Sequence, residues 1–371
     1  MKPLYLALDL GAGQGTKVGL FRGTKELQAE TVFPIESYGP DFASYSEGLL
    51  GWILRLLEDH GLSATDIRAT GIATAGILTD EGAFQLIHNL DHFNGHNLRS
   101  FFQERLDRPT AIENDANAGA LAEWSVLQVE LLYWVFGGGW GGAWISRDGR
   151  VMYPSVNWSG KDEDLHFSNE PGYAIPLEKL TLESLFTEVQ SSYPRFERIL
   201  AEDLGEGALV GPGGRQDALR AETILSGPGR CRLFRAVVAD DDFYERFLDI
   251  HETRQMSDPS IAGRHISKLS SMRVEAALNT DRLYGKILAH ATRILLRQAQ
   301  ADGLADGVPI CLGGKPSYAL PYFGPSAQRL FGRFGLMNYL RPSVIDERGL
   351  NANLVGSAVL AALAAGENPA V

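Results

Sequence analysis

The sequence predicts an α/β protein of two domains. Three observations carry that reading. The chain has 371 residues, enough for two domains of ordinary size. It opens on an apolar run with the signature of a buried strand, followed by a Gly-rich turn and a hairpin partner. From there, short apolar runs alternate with stretches of helical period.

Leu4 to Leu10 forms the first strand, and Lys17 to Phe21 is its expected hairpin partner. Gly48 to Glu58 has the spacing of a helix, and Ala69 to Thr74 that of a strand. Leu98 to Leu106 reads as a helix with Pro109 as its stop signal. Thr110 to Ile112 is a short strand running into Asn114-Asp115, with Asp115 placed to cap a helix over Ala116 to Val126 that includes Glu123. Leu131 to Phe136 and Ala143 to Ser146 are strands flanking a glycine cluster. Arg273 to Gln300 is a long helix, Val308 to Leu312 a strand ending at Gly313-Gly314, and Asn353 to Ala364 a final apolar helix. Ser155 to Gly172 is polar and irregular. Glu202 to Arg220 is rich in Gly, Asp and Glu, and the excursion that it closes, between His166 and Glu222, is expected at the surface and dispensable for the core.

Composition removes several function classes. A net charge of −12 opposes a phosphate backbone, and no Lys/Arg run is long enough to reverse that field, so no nucleic-acid partner is expected. No stretch reaches about 18 uninterrupted apolar residues, so no membrane partner or span is expected. The N-terminal Met1 to Leu10 has a Lys before an apolar run, but Asp9 interrupts it, which favours a strand over a signal peptide. The two cysteines, Cys231 and Cys311, lie far apart without zinc spacing, which suits a reducing cytoplasm.

Four constellations could carry chemistry. Asp9-Leu-Gly11-Ala-Gly13-Gln-Gly15-Thr16-Lys17 joins two strands through glycines whose N–H groups could cradle phosphate, with Asp9 able to hold a metal through water. It lacks the Gly-Lys-Ser/Thr ending of a Walker loop, and it also fits a ligand-free hairpin turn. Glu113-Asn114-Asp115-Ala-Asn117 places carboxylates at a strand-to-helix junction, where general bases and helix caps are both at home. Gly137, Gly138 and Gly139, with Gly141 and Gly142 beyond Trp140, form a second phosphate-sized turn or simply a flexible one. Glu163 and His166, with Glu222 ahead of Ser226-Gly-Pro-Gly, offer hydrogen-bonding partners for several hydroxyls. The Glu/His pair also suits a metal or a solvated loop.

In this order, the pieces resemble the bacterial glucokinases and the related ROK sugar kinases of the actin/hexokinase superfamily. Asp9-Leu-Gly resembles that family's first phosphate loop. Asn89-Leu-Asp-His-Phe and Pro109 to Glu123 resemble its most specific stretch, Gly137 to Gly142 its second phosphate loop, and Gly313-Gly314 its adenosine loop. Gly349 to Ala361 resembles its closing helix. The resemblance implies two ribonuclease-H-like domains, one of residues 1–112 plus 352–371 and one of residues 113–351 with an insertion near 170–220. It implies ATP-dependent phosphorylation of a hexose with Asp115 as general base. Asn114, Glu163, His166 and Glu222 would bind the sugar. Asp9, Gly11, Gly13, Gly15, Thr16, Gly137, Gly138, Gly139, Gly313 and Gly314 would bind ATP, with Mg²⁺ on Asp9 through water. A cytoplasmic homodimer is expected. The first loop is longer than the family's Asp-x-Gly-Gly-Thr, and Gly138 stands where the family usually has Thr. These departures leave room for a sugar-binding regulator of the same fold, or a kinase of another hexose or N-acetylhexosamine.

Overall fold

The computed structural model describes residues 2–11, 15–87, 90–153, 170–204, 219–238 and 259–369. Two five-stranded sheets organise them. The first is built from β1 (Leu4–Gly11), β2 (Gly15–Arg22), β3 (Glu26–Phe33), β4 (Ile67–Thr74) and β7 (Thr110–Asn114), in the order β3-β2-β1-β4-β7. The second contains β8 (Leu131–Phe136), β9 (Trp140–Ile145), β10 (Val151–Met152), β11 (Pro309–Gly313) and β12 (Tyr339–Pro342), in the order β10-β9-β8-β11-β12. Each sheet begins with an antiparallel three-strand meander and continues with two parallel strands. The same topology therefore occurs twice. A two-stranded hairpin, β5 (Ile77–Leu78) and β6 (Phe84–Leu86), lies between β4 and β7 in sequence.

The strand period of two sorts the side chains into layers. Leu4, Leu6, Leu8 and Leu10 of β1 share a core with Leu49, Ile53 and Leu57 of α1 (Phe42–Asp59) and with Leu98 and Phe102 of α2 (Leu98–Leu106). Tyr5 and Ala7, on the opposite face, meet Leu354, Val355, Ala358 and Ala361 of the C-terminal helix. In the second sheet, Leu132, Trp134 and Phe136 pack outward against Leu283, Tyr284 and Ile287 of the long helix Glu275–Ala301. Leu131 and Tyr133 pack inward with Ala118, Ala120 and Leu121 of α3 (Asp115–Leu127). Two helices, α3 and the C-terminal helix, thus fill the space between the sheets.

That space is narrow, and small residues make it possible. A Cβ on Gly71 of β4 would lie 1.8 Å from the Ser357 carbonyl oxygen, and one on Gly356 would lie 2.0 Å from that of Ala118. Ser357 itself donates its hydroxyl to the Leu8 carbonyl at 2.7 Å, binding the C-terminal helix to β1.

The remaining helices, in chain order, are α4 (Pro171–Ala174), α5 (Leu182–Glu188), α6 (Tyr193–Leu204), α7 (Gly227–Val237), α8 (Pro259–Ser271), α9 (the long helix Glu275–Ala301), α10 (Leu320–Arg333) and α11 (the C-terminal helix, Ala352–Ala364). Three sequence expectations change here. Helix α1 starts at Phe42 rather than Gly48, because Asp41 caps it by accepting the Ser44 N–H at 2.7 Å. Strand β3 forms an unforeseen outer strand of the first sheet. The excursion between His166 and Glu222 is not dispensable over 175–200: Ile175, Leu177, Leu180, Leu185, Phe186, Phe196, Ile199 and Leu200 are buried in the largest core. Its helices are short, so their apolar residues show too few turns to reveal a period. Residues 205–218, in its Gly- and acid-rich half, lie outside the described residues.

Candidate active site

Strand β7 passes directly into α3, without an intervening loop. Asn114 is the residue that caps α3, accepting the Ala116 N–H at 2.9 Å while its amide donates to the Gly76 carbonyl at 3.1 Å. This corrects the expected cap by one residue. Asp115 is the first helical residue, and one of its carboxylate oxygens lies 2.9 Å from the Ala116 nitrogen. A carboxylate at this place benefits from the partial positive charge of the helix N-terminus. Burial nevertheless dominates: it is the main cause, and the charge of Asp9 the second, that push the Asp115 pKa up to about 6.

Asp9 lies near the end of β1 and is buried. The register pairs it with Lys17 on β2 and Ala73 on β4, and Ala73 with Glu113 on β7. Side chains directly opposite share a face, so Lys17, Asp9 and Glu113 lie in one row on the inner face of the first sheet. Lys17 Nζ is 3.1 Å from the Asp9 carboxylate. Asn353 and Asn351, at the start of α11, donate their amides to it at 3.1 and 3.5 Å. Asp9 thus stands at the foot of α11, beside the start of α3.

The turn between β1 and β2 meets its backbone demands with Gly15, whose φ is +88° and whose Cβ would lie 2.4 Å from the Phe33 carbonyl oxygen. Gly11 ends β1, and Gly13 lies outside the described residues. The Thr16 hydroxyl turns into the core, 2.8 Å from the hydroxyls of both Tyr38 and Tyr45, so only the backbone of Thr16 is left to meet a phosphate.

The second sheet supplies backbone in place of charge. At the β8–β9 turn, the Gly137 N–H donates to the Gly139 carbonyl and the Gly227 N–H to that of Gly137, each at 2.9 Å. Gly137 and Gly138 are exposed, and a Cβ on either would meet nothing within 4 Å. Next to them, Gly314 has a φ of +81°, and its Cβ would lie 2.0 Å from the Phe136 carbonyl oxygen. Gly313 and Gly314 therefore lie against the end of β8, and the Gly314 backbone offsets part of the burial that raises the Asp346 pKa. On the α3 side, a Cβ on Gly141 would sit 3.4 Å from Ala116 Cβ, which places the glycine turn alongside the Asp115 helix.

Glu222 reaches the same turn. Its Oε2 would lie 2.6 Å from a Cβ on Gly139, so the carboxylate rests directly against that glycine. Glu163 and His166 lie outside the described residues, as does Asn89. The structure brings together Asp9, Asn114, Asp115, Gly137 to Gly139, Glu222 and Gly313-Gly314, with Gly11 and Gly15 at the first turn.

Several polar residues at the site have contacts that the sequence reading did not assign. Lys17 had a signal, since pairing the first strand with its expected hairpin partner sets it opposite Asp9. Asn351 and Asn353 had none, because α11 meets β1 only in the folded chain. Glu113, whose carboxylate accepts the Asn114 N–H at 2.8 Å and the Asn117 amide at 3.0 Å, is tied into the junction itself. Glu123 of α3 accepts the Val344 N–H at 2.9 Å, the Ile345 N–H at 3.3 Å and the Ser343 hydroxyl, fixing the turn that carries Asp346.

Among the described residues no group of three His, Cys, Asp or Glu side chains could hold a metal. The donor set still suits magnesium, which commonly binds one or two carboxylates and completes its shell with water and substrate phosphate. Asp9 is the carboxylate so placed. Both cysteines are free and buried, and no helix among the described residues is long and apolar enough to cross a membrane.

Residues 5–152 match the model of the ROK family. No curated protein matches the sequence. Among solved structures, the chain resembles a ROK hexokinase from Thermus thermophilus at 20% identity, over 97% of this chain and 98% of that one, with a TM-score of 0.60. It resembles a ROK family glucokinase from Streptomyces griseus, solved with glucose and AMPPNP, at 16% identity over 97% and 99% of the chains, with a TM-score of 0.61. It also resembles a ROK family transcriptional regulator, a homologue of the E. coli MLC protein, at 17% identity over 98% of this chain and 79% of that one, with a TM-score of 0.66. At these identities the structural likenesses establish the fold. Residues 5–152 thus resemble the ROK family in sequence, and along nearly its whole length the chain has the fold of these solved structures.

Proposed function

We propose that the protein transfers the γ-phosphoryl group of ATP to a hydroxyl of a hexose, with Asp115 as the general base. The observation that carries this reading is the setting of Asp115: it stands at the first position of α3, with its pKa pushed up to about 6, on a helix that packs alongside the strand leaving the glycine turn. A base with a pKa near neutrality is deprotonated in the cell yet strong enough to accept a hydroxyl proton as the oxygen attacks phosphorus.

The lobes we assign are residues 1–112 with 352–371, and residues 113–351. The sugar lies between them, its hydroxyls facing Asn114 and Glu222, and the family resemblance adds Glu163 and His166 to the proposed sugar ligands. The Asn114 side chain uses one N–H on Gly76 and one lone pair on Ala116, which leaves one of each for a hydroxyl. Its contribution is to hold Asp115 in place and to offer the second lone pair of its oxygen. The glycines at 137–139 and 313–314 let the nucleotide approach the backbone, whose N–H groups stabilise charge on the transferring phosphoryl. Magnesium on Asp9 would offset phosphate charge, and Lys17 balances the charge of Asp9.

A regulator that binds sugar without transferring phosphate is the second reading. The absence of a hydroxyl at Gly138 favours it, as does the likeness to a ROK regulator. A coupled assay with ATP and a panel of hexoses, N-acetylhexosamines and sugar acids decides between them. Turnover with one of these sugars supports the kinase. Sugar binding by calorimetry with no turnover and no nucleotide affinity supports the regulator.

A further inference from the structure

Tyr153 follows β10, at the edge of the second sheet, yet its polar end belongs to the first. Its hydroxyl lies 3.4 Å from Glu113 Oε2 on β7, and the Asn117 amide of α3 lies 3.5 Å from the same hydroxyl oxygen. The charge of Asp80, in the turn between β5 and β6, also acts on it. Glu113 uses its other oxygen to accept the Asn114 N–H at 2.8 Å and the Asn117 amide at 3.0 Å. One tyrosine on the rim, 41% exposed, therefore touches the carboxylate that braces the strand-to-helix junction under Asp115.

We propose that Tyr153 is a positioning residue: its hydroxyl links the second sheet to Glu113, and through Glu113 sets the backbone at Asn114-Asp115. The inference rests on the sugar-kinase reading for its consequence, but the link itself does not depend on that reading. Asn114 and Asp115 serve the sugar side of the site, whereas the glycines at 137–139 and 313–314, on the nucleotide side, are carried by other elements, at the ends of β8 and β11. Loss of the link affects the two substrates unequally. A purely structural tyrosine would weaken both together or neither.

The test is Tyr153→Phe, which keeps the ring and removes only the hydroxyl, alongside Glu113→Gln and the double variant. The KM for the accepted sugar should rise about fivefold in Tyr153→Phe, the scale of one lost hydrogen bond. Affinity for AMPPNP should stay within twofold. The double variant should be no worse than the poorer single variant, since both remove one interaction. Additive losses, an equal loss in AMPPNP affinity, or an unchanged sugar KM would each overturn the proposal. Hydrogen exchange supplies an arm independent of catalysis. In the ligand-free protein, Tyr153→Phe should speed exchange of the amides at Asn114 to Ala118, and unchanged exchange would overturn it. If the wild-type protein phosphorylates none of the sugars, the kinase reading fails, and the exchange arm alone decides the role of Tyr153.

Discussion

Asp9 and Asp115 lie at opposite ends of the first sheet's sequence, yet the charge of Asp9 adds to burial in raising the pKa of Asp115 to about 6. The cause is topological. Parallel pairing brings β1 beside β4 and β4 beside β7, so the ends of these strands open onto one place.

This relationship sets a pH dependence. The base works only when deprotonated, so kcat/KM should rise with pH through a midpoint near 6 and level off above it. Removing the neighbouring charge with Asp9→Asn should move the Asp115 midpoint down. Carboxyl NMR of the ligand-free protein reads that shift without needing turnover. A midpoint that stays put would mean that burial alone raises the pKa.

Asp115 also carries a cost in stability. Its folded-state pKa lies above the ordinary value of 3.8, so the penalty of the charge is absent below about pH 4, grows between pH 4 and 6, and is complete above that. Asp115→Asn should therefore raise the unfolding free energy at pH 7.5 by up to about 3 kcal/mol, with little change at pH 4. The same variant should lower kcat by about 10²-fold or more. Denaturant melts at the two pH values, together with the coupled assay, check both halves.

Gly138→Thr should be accommodated. Residue 138 lies outside the left-handed region and a Cβ there meets nothing within 4 Å. The added hydroxyl can reach nucleotide phosphate, and a hydrogen bond to a charged group contributes about 1.5–3 kcal/mol. The KM for ATP should fall by tenfold or more, with thermal stability unchanged. A raised KM would show that the turn meets phosphate through backbone alone.

Gly71→Ala should be severe although it adds a single carbon. The new Cβ would lie 1.8 Å from the Ser357 carbonyl oxygen, and a helix backbone cannot yield as a side chain can. Overpacking of this kind costs about 1–3 kcal/mol and sometimes more. Differential scanning calorimetry should show a clear fall in Tm. Gly332→Ala, at a helical position where a Cβ meets nothing within 4 Å, provides the control and should leave Tm unchanged or slightly higher.

The local elements were legible because each is written in a short stretch of chain. Apolar runs bounded by glycine mark β1, β2, β8 and β9, and a long period of 3.6 marks α9. The junction of β7 with α3 follows from Thr110 to Asp115, and the glycine turn from Gly137 to Gly139. The placing of Asp115 at a helix N-terminus needed nothing beyond these residues, although its neighbour Asn114 took the cap.

What tertiary structure decided are the partners of these elements. Nothing near Asp9 in sequence announces Asn351 and Asn353, which arrive because α11 packs between the sheets. The Thr16 hydroxyl could have faced phosphate as readily as the core; the aromatic pair Tyr38 and Tyr45 drew it inward. Leu177, Phe186 and Phe196 could have been loop residues until the outer face of the second sheet supplied apolar surface for them to cover. Sequence sets backbone preference and the alternation of faces, which act over a few residues. Hydrogen bonds and burial between distant segments depend on register and layer spacing, and these exist only once the two sheets have closed on α3 and α11.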